Sequence, residues 1–125
     1  MPPEIRESLG QQFVDHLAIT HTFDWQNAEL SAYDRPAAGT QALEWALNHW
    51  ERVWEEDAHE DVPLMRLTMA WLRRNMPAVD HVSVIHGDYR LGNFLYTEHD
   101  QKISAWLDWE LAYLGDRHED LSWCA

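Results

Sequence analysis

The segment HGDYRLGNFLYTEHDQKISAWLDWE, residues 86–110, places His86, Asp88 and Asn93 in one short loop, and Asp108 follows the strands after it. Polar groups packed among strand residues destabilise a fold unless they are paired or bind a ligand. Asn93 and Asp108 carry the side-chain oxygens that Mg²⁺ prefers, and Asp88 is free to accept or orient a hydroxyl proton. The segment is therefore either a satisfied structural network or a site.

Three short strands are predicted around these polar residues. β-Branched and aromatic residues favour strands over residues 82–85, 94–97 and 103–107, and residues 98–101 have the composition of a turn. The polar loop then lies between the first two strands, and Asp108 directly follows the third. The hairpin is expected to bring the two candidate metal ligands that flank it close together.

Apolar residues at helical spacing predict a helix near the start of the chain and a loop after it. Leu9, Phe13 and Leu17 form the stripe of this helix, which ends before Thr22. Residues 27–39 mix serine, aspartate, proline and glycine, a composition typical of a loop. The last residues, HEDLSWCA, begin a further helix.

Two more helices are predicted between the first loop and the strands. Thr40 is the expected N-cap of one, and Asp61 is the expected cap of the other, with Pro63 in its first turn. Core packing is the expected role of their apolar stripes. The stripe residues are Leu43, Leu47, Trp50 and Trp54 in one helix and Leu64, Leu67 and Trp71 in the other.

The charge balance excludes one large class of partners. The chain has 22 acidic and nine basic residues, a net charge of −13. Such a chain repels nucleic-acid phosphates, and its sequence has no basic stripe that would overcome this repulsion. We therefore expect no nucleic-acid partner. The acidity favours cations as ligands only weakly, and a solvated acidic surface is the preferred explanation.

The cysteine count and the hydropathy of the chain limit the kinds of site and the cellular location that it can have. Cys124 is the only cysteine, which excludes a disulfide framework or a cysteine-based zinc cluster. The first residues lack the basic start and apolar run of a signal peptide. No apolar stretch approaches the length of a membrane span. We expect no membrane partner and a cytoplasmic location.

The stretches HGDYRLGN, LDWE and GDRHEDLSW together resemble the aminoglycoside phosphotransferase and choline kinase family, the small-molecule relatives of protein kinases. Asn93 follows Asp88 by five positions and Asp108 follows Asn93 by 15, as in the family motif. The match covers residues 85–123. Its motif residues are most similar to those of the family branch that is fused or related to acyl-CoA dehydrogenases. The resemblance implies an α+β fold, with residues 1–125 forming one domain: the mainly helical core of a protein-kinase-like C-terminal lobe with a catalytic loop and a β-hairpin.

The family resemblance also implies a reaction and roles for four residues. The reaction is transfer of the γ-phosphate of ATP to a hydroxyl of a small molecule, with ATP and Mg²⁺ as cofactors. Asp88 is then the base, and Asn93 and Asp108 hold the metal. Arg90 would stabilise the transferred phosphate. Phosphoryl transfer asks chiefly for positioning and charge neutralisation, which these residue types supply.

Five further residues have supporting roles in this interpretation. His86 is expected to be structural, bonded within the loop or to Asp108, and Gly87 lets the loop turn. Asp120 ties the start of the last helix back to the loop, as the resemblance implies, or is simply a carboxylate at a helix start. Glu110 and Asp116 either contact metal or substrate or lie on the surface.

The sequence departs from a complete family member because the N-terminal nucleotide-binding lobe is missing. The only lysine, Lys102, belongs to the hairpin, and the five glycines form no phosphate-binding loop. No residue is therefore assigned to a nucleotide clamp, and the isolated chain is expected to be weak or inactive as an enzyme. A homo-oligomer could cover apolar surface that such a partial lobe exposes.

Two other function classes fit parts of the sequence. The first is a kinase remnant that has become a binding or interaction module without catalysis. The second is a metal-dependent hydrolase that uses His86, Asp88, His118 and Asp120 as ligands. The hydrolase interpretation leaves the spacing of Asn93 and Asp108 unexplained. Tight zinc binding without nucleotide would favour it over a kinase.

Overall fold

The computed structural model describes residues 2–124, and its predicted α+β class is confirmed. The helices are α1 (Pro3–His21), α2 (Gln41–Asp57), α3 (Pro63–Arg74) and α4 (His118–Cys124). The strands are β1 (Val82–Ile85), β2 (Phe94–Thr97), β3 (Lys102–Trp106) and β4 (Tyr113–Asp116). Single turns of 3-10 helix cover Trp25–Asn27 and Trp109–Leu111.

The four strands form two separate antiparallel pairs. β1 pairs with β4, with Ile85 opposite Tyr113, and β2 pairs with β3, with Phe94 opposite Trp106. β4 is not among the strands expected from the sequence. The polar loop, residues 86–93, therefore leaves one sheet and enters the other, so both sheets determine its position.

Helix α1 packs under the loop through an aromatic cluster. The Phe13 ring lies 4.6 Å from the Tyr89 ring and 5.3 Å from the Trp106 ring, measured between centroids. Tyr89 and Trp106 stack at 3.9 Å, and the Tyr89 hydroxyl donates a hydrogen bond to the Phe13 carbonyl at 2.7 Å. Leu9 and Leu17 are buried on either side of Phe13. The loop is thus attached to α1 through Tyr89.

The helix starts differ in detail from those expected. Thr40 is the N-cap of α2, but its hydroxyl donates to the Glu44 carboxylate at 2.5 Å rather than accepting a backbone N–H. The N-cap of α3 is Val62, not Asp61. The Asp61 carboxylate accepts a hydrogen bond from Arg66 at 2.6 Å instead, and this side-chain pairing takes it away from the helix end.

The apolar stripe of α3 is exposed, which corrects the expectation that it packs in the core. Leu64, Leu67 and Trp71 are 69%, 63% and 59% exposed. Arg73, on the face of α3 opposite to this stripe, bonds to Asn48 and Glu51 of α2. The polar face of α3 therefore contacts α2. Although α3 is amphipathic, no helix within residues 2–124 is long and apolar enough to cross a membrane.

Candidate active site

One buried carboxylate holds the backbone of the polar loop. Asp120 accepts the backbone N–H of His86 at 3.0 Å on Oδ2 and that of Gly87 at 2.9 Å on Oδ1. The Nε2 of His21, the last residue of α1, lies 2.9 Å from Oδ2. Burial acts to raise the pKa of Asp120, but the hydrogen bonds from His21, His86 and Gly87 outweigh it and lower that pKa below its ordinary value. The contact implied for Asp120 is therefore present.

His86 connects the loop to the end of the hairpin. Its ring is buried; Nδ1 accepts the backbone N–H of Asp88 at 3.3 Å, and Nε2 lies 2.9 Å from the Leu107 carbonyl. These partners assign the neutral tautomer with the proton on Nε2. Both ring nitrogens are thus used in orienting the backbone, one within the loop and one beside Asp108.

Gly87 occupies a position where a side chain does not fit. Its φ of +84° lies in the left-handed region, and a Cβ there would be 2.7 Å from the Leu111 carbonyl oxygen. The absence of a side chain allows the loop and the Trp109–Leu111 turn to pack against each other.

Replacing Gly87 with alanine is expected to lower the free energy of unfolding by about 1–3 kcal/mol, because the new Cβ meets backbone that must move and the left-handed φ is strained. Gly10→Ala is the matched control, since Gly10 lies in α1 and a Cβ added to it would meet no atom within 4 Å. That control should stabilise by up to about 1 kcal/mol. Urea unfolding measures both variants, and equal effects would contradict the steric argument.

Asp88 is held by two donors on the same oxygen. Arg90 Nε lies 2.9 Å from Asp88 Oδ2, and Asn93 Nδ2 lies 2.7 Å from that atom and 2.9 Å from the Asp88 carbonyl. The hydrogen bond from Arg90 is the main cause that lowers the pKa of Asp88; Asn93 adds to it against an opposing effect of burial. The carboxylate is thus ionised at neutral pH, and Oδ1 is left for another partner.

The hairpin brings the residue before Asp108 to Asn93. The Leu107 N–H donates to the Asn93 carbonyl at 2.8 Å. Asp108 has φ of 65° and ψ of 51°, and among the described residues its exposed carboxylate has no hydrogen-bond partner. Because Asn93 uses its amide N–H groups on Asp88, its side-chain oxygen remains available. An amide oxygen and a carboxylate are ligand types that suit Mg²⁺.

Comparison with known proteins identifies the family to which this chain is related. The model of the APH phosphotransferase enzyme family matches residues 1–125. The chain belongs to the phosphotransferase enzyme family. A crystal structure from Ralstonia eutropha JMP134, assigned as an aminoglycoside phosphotransferase, superposes with a TM-score of 0.81 and 30% identity. It covers 97% of this chain, which covers 36% of that one.

The sequence relatives of this phosphotransferase-family chain are much longer proteins. It is 30% identical over 123 residues to human acyl-CoA dehydrogenase family member 11 and 31% identical over 121 residues to the Pongo abelii protein of that name. It is 28% identical over 127 residues to the probable acyl-CoA dehydrogenase IBR3 of Arabidopsis thaliana. These matches cover 96–98% of this chain but 15% of each relative. The dehydrogenase names therefore describe proteins in which the region similar to this chain is a small part.

Glu110 and Asp116, for which the sequence left two roles open, lie at different distances from the polar loop. Glu110 is exposed and lines a cavity of about 490 Å³ that reaches Gly87. Asp116 lies at the other end of β4, opposite Val82, and its carboxylate accepts the backbone N–H of His118 at 3.1 Å. Glu110 is therefore brought to the loop, and Asp116 is not.

The ligands expected for a hydrolase do not come together in this phosphotransferase-family fold. Asp120 is buried under the loop backbone, whereas the His118 side chain is 73% exposed and bonded to Asp116. Within residues 2–124, no three His, Cys, Asp or Glu side chains form a group that could hold a metal ion. The geometry thus gives the hydrolase alternative no support.

His21 is the loop-supporting residue that sequence reasoning missed. It is buried against Asp120, and its carbonyl accepts the Ser83 hydroxyl at 2.8 Å. The signal in the sequence was its position: it lies four residues after Leu17 and continues the stripe of Leu9 and Phe13. A histidine that ends an apolar stripe is predicted to point into the core, where it needs a partner.

Proposed function

We propose that this chain supplies the catalytic loop and magnesium site of an ATP-dependent phosphotransferase that acts on a hydroxyl of a small molecule. Residues 1–125 then form part of the C-terminal lobe of a protein-kinase-like fold. The observation that carries the proposal is the convergence of Arg90 and Asn93 on one oxygen of Asp88, with the hairpin bringing Asp108 beside Asn93. The family match of the whole chain supports it.

Asp88 acts mainly by orienting the acceptor hydroxyl in this proposal. Its pKa lies below the ordinary value, so it is a weak base at neutral pH. Phosphoryl transfer passes through a loose transition state in which the attacking oxygen needs alignment more than early deprotonation. The Oδ1 atom, which the contacts with Arg90 and Asn93 leave open, is the one that would accept the hydroxyl proton.

In this proposal the phosphate groups are bound through Asn93, Asp108 and Arg90. Asn93 Oδ1 and the Asp108 carboxylate are the atoms that would hold Mg²⁺, which neutralises phosphate charge when bound. Arg90 is 59% exposed in its side chain and bonds to Asp88 through Nε alone. Its remaining guanidinium N–H groups can therefore donate to the transferred phosphoryl group, a charge-assisted interaction.

The acceptor alcohol is assigned to the cavity that reaches Gly87. This cavity of about 490 Å³ contains the rings of Tyr33, Trp45 and Tyr113 and the carboxylate of Glu110. Its volume suits a small molecule, and the catalytic-loop position next to Asp88 forms part of its wall.

Calorimetric titration with ATP, with and without Mg²⁺, tests the metal site directly. Wild type should bind ATP more tightly with Mg²⁺, and Asp108→Ala should lose at least about tenfold of that Mg²⁺-dependent affinity because one charged ligand is gone. Asp57→Ala, at the end of α2, removes an exposed carboxylate elsewhere and should behave as wild type. Mg²⁺-independent binding, or unchanged binding by Asp108→Ala, would refute the assignment.

A catalytically inactive remnant is the second candidate function. It is favoured by Lys102, the only lysine, lying in β3 of the hairpin. A remnant would bind Mg²⁺ and ATP without phosphorylating any alcohol, whereas the proposed enzyme phosphorylates at least one acceptor.

A further inference from the structure

The side-chain amide of Gln12, on α1, pairs with the free edge of β3. Its Oε1 accepts the Ile103 N–H at 2.9 Å, and its Nε2 donates to the Gln101 carbonyl at 2.8 Å. A carbonyl and the N–H two residues later point to the same side of a strand, so the amide makes the two bonds that a neighbouring strand would make. Gln101 itself has a φ of +55°, a conformation that needs such support.

A second contact between α1 and β3 lies nearer the site. The indole N–H of Trp106 donates to His16 Nδ1 at 3.0 Å, and His16 is one helical turn beyond Gln12. Helix α1 therefore holds β3 at both ends, by Gln12 at the hairpin turn and by His16 just before Leu107.

The end of β3 sets the position of Asp108. Leu107, the next residue after β3, donates its N–H to the Asn93 carbonyl at 2.8 Å, and its carbonyl contacts His86 Nε2 at 2.9 Å. A shift of β3 along or away from α1 would therefore strain the Leu107 contacts and displace Asp108 relative to Asn93. The sheet has only two strands, so no further strand of the described residues restrains β3 on its outer edge.

We propose that Gln12 is a positioning residue for the metal site. It fixes the hairpin on α1 so that Asp108 and Asn93 stay in register, and it acts through β3 and Leu107 without touching the metal ligands. The proposal rests on the proposed function only in taking Asp108 as a metal ligand.

The test compares Gln12→Met with Gln11→Met by hydrogen exchange measured with NMR. Methionine keeps the length of glutamine and removes both hydrogen bonds to the hairpin, together with the two that Gln12 makes to Ser8 within α1. Gln11 is the matched control because it is an exposed glutamine on the same helix, bonded to Asp15. We expect the protection factor of the Leu107 amide to fall at least about tenfold in Gln12→Met and less than about twofold in Gln11→Met.

A second variant keeps the test informative if Gln12→Met unfolds. Gln12→Glu retains the acceptor for the Ile103 N–H and sets an oxygen, which repels the Gln101 carbonyl, where the donor was, so the protection of the Leu107 amide should fall below that of wild type. If Ile103 loses protection in either variant while Leu107 keeps it, Gln12 is a local contact and the proposal is wrong.

Binding of ATP separates this proposal from the proposed function. Gln12→Met should weaken Mg²⁺-dependent ATP binding about three- to tenfold and leave Mg²⁺-free binding unchanged, since Asp108 is displaced and not removed. If wild type shows no Mg²⁺-dependent binding, the proposed function fails, and the exchange of Leu107 alone decides the role of Gln12. Loss of Leu107 protection with unchanged Mg²⁺-dependent binding would overturn the link to the metal.

Discussion

Replacing Asp88 with alanine is expected to lower phosphoryl transfer by about 10²- to 10⁴-fold, the range that a positioned proton acceptor contributes. The variant loses the oxygen that orients the acceptor hydroxyl, while the candidate metal ligands Asn93 and Asp108 remain. Binding of Mg²⁺ and ATP should therefore stay close to that of wild type. Transfer of label from radioactive ATP to a panel of small alcohols measures the rate, and calorimetry measures the binding.

The matched control for Asp88→Ala is Glu98→Ala, which removes an exposed carboxylate from the hairpin turn. Because Arg90 lowers the pKa of Asp88, the carboxyl should stay ionised between about pH 5 and pH 8, and its titration should cause no loss of rate in that range. Full transfer by Asp88→Ala would remove Asp88 from the mechanism. Because the isolated chain is expected to be weak or inactive, the rates are compared in a protein that also carries a nucleotide-binding lobe, and no transfer there with any alcohol would favour the inactive remnant.

Replacing Asp120 with alanine is expected to cost at least about 3 kcal/mol of unfolding free energy, because each buried polar group left without its partner costs about 1–3 kcal/mol. The change leaves the backbone N–H groups of His86 and Gly87 and the ring of His21 without their acceptor in a buried place. Urea unfolding measures the loss, and Asp57→Ala should change stability by less than about 0.5 kcal/mol. A loss below about 1 kcal/mol would contradict the anchoring role of Asp120.

The same carboxylate makes stability depend on acidity in a defined direction. The pKa of Asp120 in the folded protein is lower than its ordinary value of 3.8, so the unfolded chain takes up the proton first. Its stabilising contribution is complete above about pH 4 and is lost as the pH falls through the folded-state pKa. Stability of wild type should therefore drop more steeply below about pH 4 than that of Asp120→Ala.

The elements that the sequence predicted well are those with a strong local period. The stripe of Leu9, Phe13 and Leu17 defines α1, and the β-branched and aromatic residues define the first three strands. β4 was missed because its sequence, YLGD, is short and contains Gly115. Its strand character comes from pairing with β1, where Gly115 lies opposite Ser83, and a local pattern cannot show that contact.

The sequence predicted which residues belong to the candidate site, but not the hydrogen bonds that connect them. The spacing of Asp88, Asn93 and Asp108 led to the loop and the hairpin end, where the structure indeed places them. The sequence could not show that His21 would meet Asp120, because the two lie 99 positions apart. It also predicted an apolar face on α3 without showing that none of the described elements covers it.

The contacts that support the loop also determine when it can form during folding. His21 and Asp120 are separated by 99 positions, Gln12 and Ile103 by 91, and Phe13 and Tyr89 by 76. Each contact closes a loop of most of the chain, so its entropic cost is met only once both ends have collapsed together. We expect the polar loop to order late, after the helices. A nascent chain that lacks α4 would have its helices but no ordered loop.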